Sequence, residues 1–600
     1  MKSCVPVQQD DQPMFDDDGK SQRITPRPRR AASAIIKHPS APVVPVTLIL
    51  LFVCFFGLGR MALIDQVDEG LYASTSRRMI DSGDWVTPRF GQDVFLDKPP
   101  LSLWCQALFI SVLGPTPLAA RLPSAIGAFL TALALYYWAR RKATLRAGWL
   151  AAVLYALCPL VALGLARLAM VDSLLTLWLT LALIGLTEGY GGNRRGYLVA
   201  AASAALAVMT KGAIGLLLPC LTFGVWLFVR RDWAALKHVP WGPALALFLL
   251  LTLPWHLLVW WANGDLFLQE YIVRRHVRRF MGQDFGHNEP FWYYLPLLVS
   301  NMFPWSVLVP VAWWKALRRA REGEKDSLDS ALALWALWAV VVIAFFSLSA
   351  SKLPNYVLPA LPALIWLLAW RLDEIWQARR GLKALEAAAL SVMGGLLGLL
   401  CLAIGLAGWR WRTTPASPPL LAQRLGALFS WKSAEGAQML WLKLTAVTDT
   451  ALYWTTLGAL VMIASLLILV HWRSARGTVA CAIAISLAFI LLVVHIVLPA
   501  WSRYDVLPLK ALGARTLPAL ERGEPVVMYA LHPKRPSLHY MLGHDEQIVE
   551  TFSPETLQNV LQRAGRGYVL TTGTAALPQL SGAFQQEATA GQWTLWRYDR

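Results

Sequence analysis

Residues 65–100 read DQVDEGLYASTSRRMIDSGDWVTPRFGQDVFLDKPP, and the rest of the chain is best understood from this stretch outward. It holds eleven charged side chains, although it follows one strongly apolar segment and precedes a long series of others. Charge beside apolar segments is costly unless it is solvated or used, so the stretch is either a wet loop or part of a functional site.

The composition is that of a membrane protein. Of the 600 residues, 56% are hydrophobic and 29 are Trp, and the mean hydropathy is +0.46. A bilayer-spanning helix needs about 20 apolar residues. The sequence therefore predicts thirteen spans, at roughly 43–64, 118–139, 147–165, 173–190, 197–210, 212–229, 241–261, 291–314, 330–350, 354–370, 384–408, 448–472 and 478–498.

The distribution of basic residues orients these spans. The net charge of +18 reflects basic turns between spans and does not indicate a nucleic-acid partner. With the N-terminus inside, every predicted cytoplasmic turn is basic, for example at Arg140–Lys142 and Arg194–Arg195. This agreement with the positive-inside rule supports the count of thirteen.

Two further regions flank the membrane domain predicted for residues 43–498. Residues 1–42 are polar, basic and without periodicity, so we predict a disordered cytoplasmic tail. Residues 499–600 predict a small α/β domain, with strands in PVVMYAL, QIVET, GYVLTT and QWTLWRYD. Its helix should begin after Ser553, with Pro554 in the first turn, and stop at Gly565. The seven Cys show no metal-type spacing and no disulfide framework.

The non-cytoplasmic face collects the polar turns. It receives the 65–117 segment, Asp172, Lys211, the 262–290 loop, Lys352 with Tyr356, the 409–447 loop and the C-terminal domain. In the first segment, Asp68 can cap a helix that ends at Gly83, and a second helix should follow Pro99–Pro100. Both suit helices lying in the membrane interface. The sequence therefore predicts a site at this membrane surface.

The 262–290 loop departs from the charge rule. Its run IVRRHVRRF places four arginines on the non-cytoplasmic face, with Arg275 and Arg279 at helical spacing. Like charges at this spacing repel unless an anion lies between them, and guanidinium groups suit phosphate. Contact with lipid headgroups is the alternative. Either reading predicts a phosphate partner.

Across about residues 43–370 the chain resembles the bacterial 4-amino-4-deoxy-L-arabinose transferase family, polyprenyl-phosphate-sugar glycosyltransferases of the GT-C fold that are related to the protein O-mannosyltransferases. The motifs that carry the resemblance are VDEGLYASTSRRMIDSGDWVTPRF, DKPPLSLW, AARLPSA, MVDSLL, TKG, HVRRF, PFWYYLPLL, FPWS and SKLPNYVLPALPAL. The resemblance implies an all-α polytopic membrane protein with periplasmic interfacial helices and a small C-terminal α/β domain.

The resemblance also implies roles for single residues. The resemblance implies that the catalytic residues are acidic: Asp68 matches the family's candidate catalytic carboxylate, Glu69 stands beside it, and Asp172 matches the second acidic residue. Lys98, Lys211 and Tyr356 match residues that the family places around the donor phosphate. We add Lys352, Arg275 and Arg279 to this phosphate-binding set as basic neighbours. His276 matches a residue that, with the acid before KPP, can hold a divalent metal such as zinc in a structural role. That acid is Asp97 here, where relatives usually carry Glu.

The activity implied is transfer of a sugar, with inversion, from undecaprenyl phosphate to lipid A on the periplasmic face of the bacterial inner membrane. The resemblance implies that the enzyme requires no cofactor. We expect the protein to contact membrane lipids and to be a monomer. Asp68 would act as a base or stabilise charge, and the sequence leaves both open. The alternatives are transfer of mannose or another sugar to protein or envelope glycan, and transport of a lipid-linked substrate, although no inverted repeat is evident.

Overall fold

The computed structural model describes residues 43–65, 68–278, 289–318, 324–325, 327–378, 381–413, 449–504, 506–531, 535–572, 577 and 583–600. The predicted tail 1–42, most of the predicted 409–447 loop and Arg279 lie outside these residues. The side chain of His276 is likewise outside the described part.

The described chain is mainly helical. Its α-helices are α1 (Val43–Phe55), α2 (Glu69–Ser82), α3 (Leu101–Leu113), α4 (Pro117–Lys142), α5 (Leu145–Ala156), α6 (Asp172–Tyr190), α7 (Arg194–Lys211), α8 (Ile214–Arg230), α9 (Trp241–Asn263), α10 (Asp265–Phe267), α11 (Tyr294–Asn301), α12 (Val309–Arg318), α13 (Leu328–Leu348), α14 (Leu361–Gln377), α15 (Ala384–Thr413), α16 (Ala451–Val470), α17 (Ala475–Leu492), α18 (Leu498–Tyr504), α19 (Val506–Arg515), α20 (Leu517–Glu521), α21 (Pro536–Leu542) and α22 (Pro554–Ala564).

Shorter helical segments join these helices. The 3-10 segments are Trp233–His238, Trp305–Val307 and Pro354–Ala360, and the π-helical segments are Leu160–Leu165, Leu268–Arg278 and Val493–Val497. The strands are β1 (Arg89–Phe90), β2 (Asp93–Val94), β3 (Val526–Tyr529), β4 (Ile548–Thr551), β5 (Arg566–Thr572), β6 (Ala583–Ala590) and β7 (Trp593–Asp599).

Eight helical stretches in the described residues are long and apolar enough to cross a bilayer. They correspond to eight of the thirteen predicted spans: Pro117–Lys142, Asp172–Tyr190, Trp241–Asn263, Leu328–Leu348, Pro354–Gln377, Ala384–Arg410, Ala451–Val470 and Ala475–Ala500. The chain is therefore a multi-pass membrane protein. The count of thirteen stays a prediction, because α1, α5 and α8 are shorter, the 18-residue α7 is not among the eight, and residues 291–314 divide into α11, a 3-10 turn and α12.

Local sequence explains where the long helices begin and end. The Thr116 hydroxyl accepts a hydrogen bond from the Ala119 amide, Pro117 occupies the first turn, and α4 ends on Arg140–Lys142. The Ser327 hydroxyl caps α13 by accepting from the Ser330 amide. Hydroxyl caps satisfy orphan amides at a helix start, and basic residues suit the negative end of the helix dipole.

Helix α2 occupies the predicted place, between Asp68 and Gly83, and Gly83 adopts the left-handed conformation (φ 71°) that ends many helices. The expected cap was wrong, because the Asp68 side chain makes no cap hydrogen bond to the helix. Much of α2 is buried, since it packs against α3 on one side and α21 on the other.

The C-terminal sheet has five strands in the order β4-β3-β5-β7-β6. Strand β3 runs parallel to β4 and β5, whereas β7 is antiparallel to both β5 and β6. The predicted helix is confirmed, with Ser553 as its cap and Gly565 at its end. The predicted strand in QWTLWRYD is confirmed as β7, and β6, which the sequence did not predict, forms the edge beside it.

The arginine-rich loop is wound differently from the expected α-helix. Leu268–Arg278 forms a π-helix, so residues four apart no longer repeat on one face as the sequence argument assumed. Arg274 lies 3.0 Å from the Glu270 carboxylate and is thus neutralised locally. Arg275 points elsewhere, into the cavity described below.

Candidate active site

A cavity of about 390 Å³ lies where α3, α7, α8, α13 and the π-helix meet. One part of its wall is charged and hydroxylic, and the other is apolar. The lining residues are Asp97, Lys98, Lys211, Ala213, Ile214, Leu217, Arg275, Phe345, Phe346, Ser349, Ser351 and Tyr356. A cavity with a cationic part and an apolar part fits an amphiphile that has an anionic head.

Two cations share one buried carboxylate on the first side of the cavity. The Lys98 ammonium donates to Asp97 Oδ2 at 2.7 Å and to the Asp97 carbonyl at 3.2 Å. Arg275 Nη1 lies 2.9 Å from Asp97 Oδ1. The two Pro residues after Lys98 lead directly into α3, so Lys98 is fixed at a helix start. Both cations and the carboxylate they share line the cavity.

A third cation lies on the other side of the cavity, at the junction of two membrane helices. Lys211, the last residue of α7, donates at 2.5 Å to Asp172, the first residue of α6. Its ammonium also lies 4.8 Å from the ring centroid of Tyr356. Asn355 donates to the other Asp172 oxygen at 2.7 Å. Asp172 is thus held behind the cavity wall and orients Lys211, which lines the cavity.

Tryptophan side chains support the turn that carries Asn355 and Tyr356. The Trp338 indole donates to the Pro359 carbonyl at 2.8 Å, at the end of the 3-10 segment. Trp138, Trp335 and Trp366 pack against one another beneath it, with ring centroids 4.7–5.9 Å apart. Aromatic packing of this kind makes a rigid base for the turn.

Lys352 differs from the other predicted phosphate-binding residues. Its ammonium donates to the backbone carbonyls of Ser349 at 2.6 Å and Glu289 at 2.8 Å. The side chain does not line the cavity, whereas Ser349 and Ser351 of the same turn do. Lys352 therefore ties the turn to residue 289, and the serine side of the turn faces the cavity.

The DE pair divides into two environments. Asp68 is exposed, with the Tyr72 hydroxyl 3.5 Å from its carboxylate, and it does not line the cavity. Glu69 is fully buried and receives Arg121 on both oxygens, at 2.6 and 2.9 Å. The amides of Ile64 and Ala169 also donate to Glu69. Among the described residues Glu69 is thus saturated by structural partners, whereas Asp68 is open to solvent.

A divalent metal does not fit the described donors at Asp97. Its carboxylate already lies against two cations, Lys98 and Arg275, which would repel a metal ion. Within the described residues, no group of three or more His, Cys, Asp or Glu side chains is arranged so that it could hold a metal ion. The other predicted ligand, His276, has its side chain outside that part of the chain.

The structure brings together four of the predicted donor-phosphate residues, Lys98, Lys211, Tyr356 and Arg275, in one cavity. Sequence reasoning missed Asn355 and Arg121, although both lie in the motifs KLPNY and AARLPSA. It also missed the aromatic wall, Phe345 and Phe346, because an apolar pair inside a membrane span carries no signal in a single sequence.

Comparison with known proteins agrees with this geometry. Residues 97–260 match the family model described as dolichyl-phosphate-mannose-protein mannosyltransferase. An undecaprenyl phosphate-α-4-amino-4-deoxy-L-arabinose arabinosyl transferase 2 from Pseudomonas fluorescens (strain Pf0-1) is 34% identical over 346 residues, which are 56% of this chain and 59% of that protein. A transferase of the same name from Erwinia tasmaniensis is 33% identical over 378 residues, 60% of this chain and 65% of that protein. The chain thus spans about three fifths of the length of these relatives.

The fold matches that of solved structures over nearly the whole chain. The crystal structure of ArnT from Cupriavidus metallidurans bound to undecaprenyl phosphate superposes with a TM-score of 0.72 at 21% identity, covering 92% of this chain and 97% of that one. The apo structure of the same protein gives a TM-score of 0.71 at 22% identity. The predicted GT-C fold is confirmed.

Proposed function

We infer that this chain, which belongs with the 4-amino-4-deoxy-L-arabinose transferases of the GT-C fold, moves that sugar from undecaprenyl phosphate to a lipid A phosphate. The observation that carries this proposal is the cavity where Lys98, Lys211 and Arg275 stand beside an apolar wall. The names of the relatives and the undecaprenyl phosphate in the ArnT crystal structure support it.

The donor fits the two parts of the cavity. The phosphate would lie against Lys98, Arg275 and Lys211, with hydrogen bonds from the Tyr356 and serine hydroxyls. The first prenyl units would lie along Ile214, Leu217, Phe345 and Phe346 and leave the cavity toward lipid. Charge-assisted contacts to phosphate are roughly twice as strong as neutral hydrogen bonds, so the cationic part sets the position of the donor.

The chemistry follows from this placement. An oxygen of the acceptor phosphate attacks the anomeric carbon while the carbon–oxygen bond to the carrier phosphate breaks, which inverts the configuration. Undecaprenyl phosphate leaves with the bonding electrons, and Lys98, Lys211 and Arg275 stabilise the charge that develops on it. The acceptor is already anionic, so no proton has to be removed from it.

The acids have different proposed roles. Asp68, open to solvent at the start of α2, is our candidate for orienting the acceptor or stabilising positive charge at the anomeric carbon. Asp172 positions Lys211, and Glu69 positions the start of α2 through Arg121. We propose that the site faces the periplasm at the inner membrane, that the enzyme acts as a monomer, and that transfer needs no metal, so that EDTA leaves its rate unchanged.

The test is transfer in liposomes from undecaprenyl-phosphate-linked 4-amino-4-deoxy-L-arabinose to lipid A, read by mass spectrometry, with donor binding measured on the same preparations. Asp68→Asn should lose about 10²–10⁴-fold in rate and still bind donor, an effect of the size seen for single catalytic groups. Lys98→Ala should lose both binding and rate, because a cation facing phosphate acts in ground and transition states alike. Lys383→Ala, a change at an exposed lysine, is the matched control.

Two outcomes would change the proposal. Near-normal turnover of Asp68→Asn would move the mechanism to the acceptor itself. Transfer to a protein, with lipid A unmodified, would favour the second reading, which the match of residues 97–260 to a protein mannosyltransferase model supports.

A further inference from the structure

Two more cavities lie at the opposite end of α7 from Lys211. One, of about 280 Å³, is a groove between α7, α8 and α9 whose wall is apolar and includes Ala201, Ala204, Pro219 and Phe248. The other, of about 480 Å³, is lined by Arg194, Arg195, Leu198 and residues 240–243. Trp241 lines both, so the groove runs into the basic cavity.

The side chains of this second site are exposed. Trp241 is 61% exposed and Leu245 57% exposed, so the groove opens toward lipid. Arg194 donates through Nε to the His238 carbonyl at 3.2 Å, which fixes its guanidinium at the rim. Small residues along α7 make the groove, since Ala201 and Ala204 stand where larger side chains would fill it.

This second site and the cavity lined by Lys98 and Lys211, the donor cavity, are about one bilayer thickness apart. Helix α7 has 18 residues between Arg194 and Lys211. At about 1.5 Å per residue it is about 27 Å long, close to the roughly 30 Å thickness of the hydrocarbon layer. A phosphate at Arg194–Arg195 and a phosphate at Lys211 would therefore lie in opposite leaflets, so the two sites take different lipid molecules.

We propose that the groove and the arginine pair bind an anionic diacyl phospholipid of the leaflet opposite the donor site. Its headgroup phosphate lies against Arg194 and Arg195, and one acyl chain fills the groove between α7, α8 and α9. The two arginines select anionic headgroups by charge, and the apolar groove selects a chain-bearing molecule over a free phosphate. Trp241 stands at the junction, as Trp does at membrane interfaces.

The test uses the full-length protein in nanodiscs of phosphatidylcholine that contain a minor fraction of phosphatidylglycerol. After extraction into mild detergent, phospholipid still bound is identified by native mass spectrometry. Phosphatidylglycerol should be enriched at least tenfold over its share of the bilayer. Arg194→Gln/Arg195→Gln should abolish the enrichment, and Ala201→Phe should reduce lipid retention by filling the groove.

The matched control is Arg140→Gln/Arg141→Gln, which removes the same charge from another basic turn and should leave the enrichment intact. Inorganic phosphate and glycerol phosphate at millimolar concentration should not displace the lipid, because they lack the chain. Bound lipid in the bulk ratio would overturn the proposal. Unchanged enrichment in Arg194→Gln/Arg195→Gln would overturn it as well. These two substitutions lie on the surface and leave the fold intact, so the test holds even if Ala201→Phe does not fold.

Discussion

Glu69 and Arg121 form a fully buried ion pair beside the exposed Asp68. The side chains are 0% and 1% exposed. Arg121 also donates to the carbonyls of Leu58, Met61 and Ala62. The pair thereby joins three parts of the chain: the segment after α1, the start of α2, and α4. The two adjacent acids therefore have different roles. The Asp68 side chain is exposed, whereas Glu69 holds these three parts of the chain together.

Glu69→Gln should destabilise the protein by about 3–5 kcal/mol, because Arg121 would remain buried without its counter-charge. The measurement is thermal unfolding in detergent. Asp599→Asn breaks an exposed pair with Arg597 and should change stability by less than about 1 kcal/mol, which makes it the control. Unchanged unfolding of Glu69→Gln together with lost transfer would return Glu69 to the catalytic acids.

Single residues show how far sequence reasoning reaches. Lys98, Lys211 and Tyr356 were predicted to lie near one another, because polar turns between membrane spans converge on a surface, and the cavity contains all three. Lys352 carries the same charge in the same kind of turn, yet backbone carbonyls bind it. The path of the backbone decides whether a lysine faces the cavity or a backbone carbonyl. That path cannot be read from a single sequence.

At the scale of elements, α2 is held by the C-terminal domain. The Asp65 carboxylate accepts hydrogen bonds from the amide and hydroxyl of Ser537, each at 2.7 Å. At the other end of α2, Arg77 donates to the carbonyls of Tyr540 and Met541 at 2.6 and 2.9 Å, where α21 ends. Docking of α21 therefore fixes the helix that begins beside Asp68.

Gly70 of α2 lies close against the start of α21. A Cβ there would lie 2.7 Å from the Ser537 amide nitrogen, so Gly70→Ala should push α21 away and lower transfer at least tenfold. It should also speed proteolysis of the C-terminal domain. Gly224→Ala, on α8 with no atom within 4 Å of the added methyl, is the control and should be neutral. Normal activity with faster proteolysis would separate α21 docking from catalysis.

The α21 contact also contains a buried histidine. His539 Nδ1 lies 2.9 Å from Asp545, and its ring packs 5.1 Å from that of Phe90 in β1. Burial by itself would lower the pKa of His539, but the carboxylates of Asp545 and Glu550 outweigh it and raise the pKa from 6.5 to about 9. The protonated imidazole thus stabilises the folded domain.

Because the folded pKa is raised, this stabilisation is fully present below pH 6.5 and is lost as the pH rises through about 9. Hydrogen exchange in β3 and β4, corrected for intrinsic rates, should therefore show the full-length protein opening more readily at pH 9.5 than at pH 6. His539→Gln should be less protected at pH 6 and much less sensitive to pH. An equal pH response in both proteins would contradict the assignment.

Element types were predicted where local signals are strong. Ser553, Pro554 and Gly565 mark α22 at both ends, and the structure has it there. Strand β6, FQQEATA within Ala583–Ala590, alternates weakly and carries few β-branched residues, so only pairing with β7 identifies it. The π-helix at Leu268–Arg278 likewise has an α-like sequence, and its winding depends on tertiary contacts.

At the scale of the whole molecule, the two ends of the helical bundle differ in charge chemistry. Basic residues at one end meet acids of neighbouring turns, as in Lys142 with Glu188 at 3.1 Å and Lys325 with Asp232 at 2.5 Å. At the other end, Lys98, Arg275 and Lys211 surround a cavity. The positive-inside rule orients these two ends from turn composition, and that orientation stays a prediction. The number of spans depends on short and broken helices that hydropathy alone cannot place.

The orientation predicts which surface each end presents. Cysteines placed at Asp93, in β2, and at Glu546, beside α21, should react with a membrane-impermeant maleimide added to intact cells. Both side chains are exposed, at the end of the bundle where Lys98 and Lys211 line the cavity. A cysteine at Arg195 should react only after the membrane is opened. Peptide mass spectrometry separates the new sites from the native thiols. Labelling at Glu546 that required an opened membrane would place the cavity on the cytoplasmic side, where a periplasmic lipid A acceptor could not reach it.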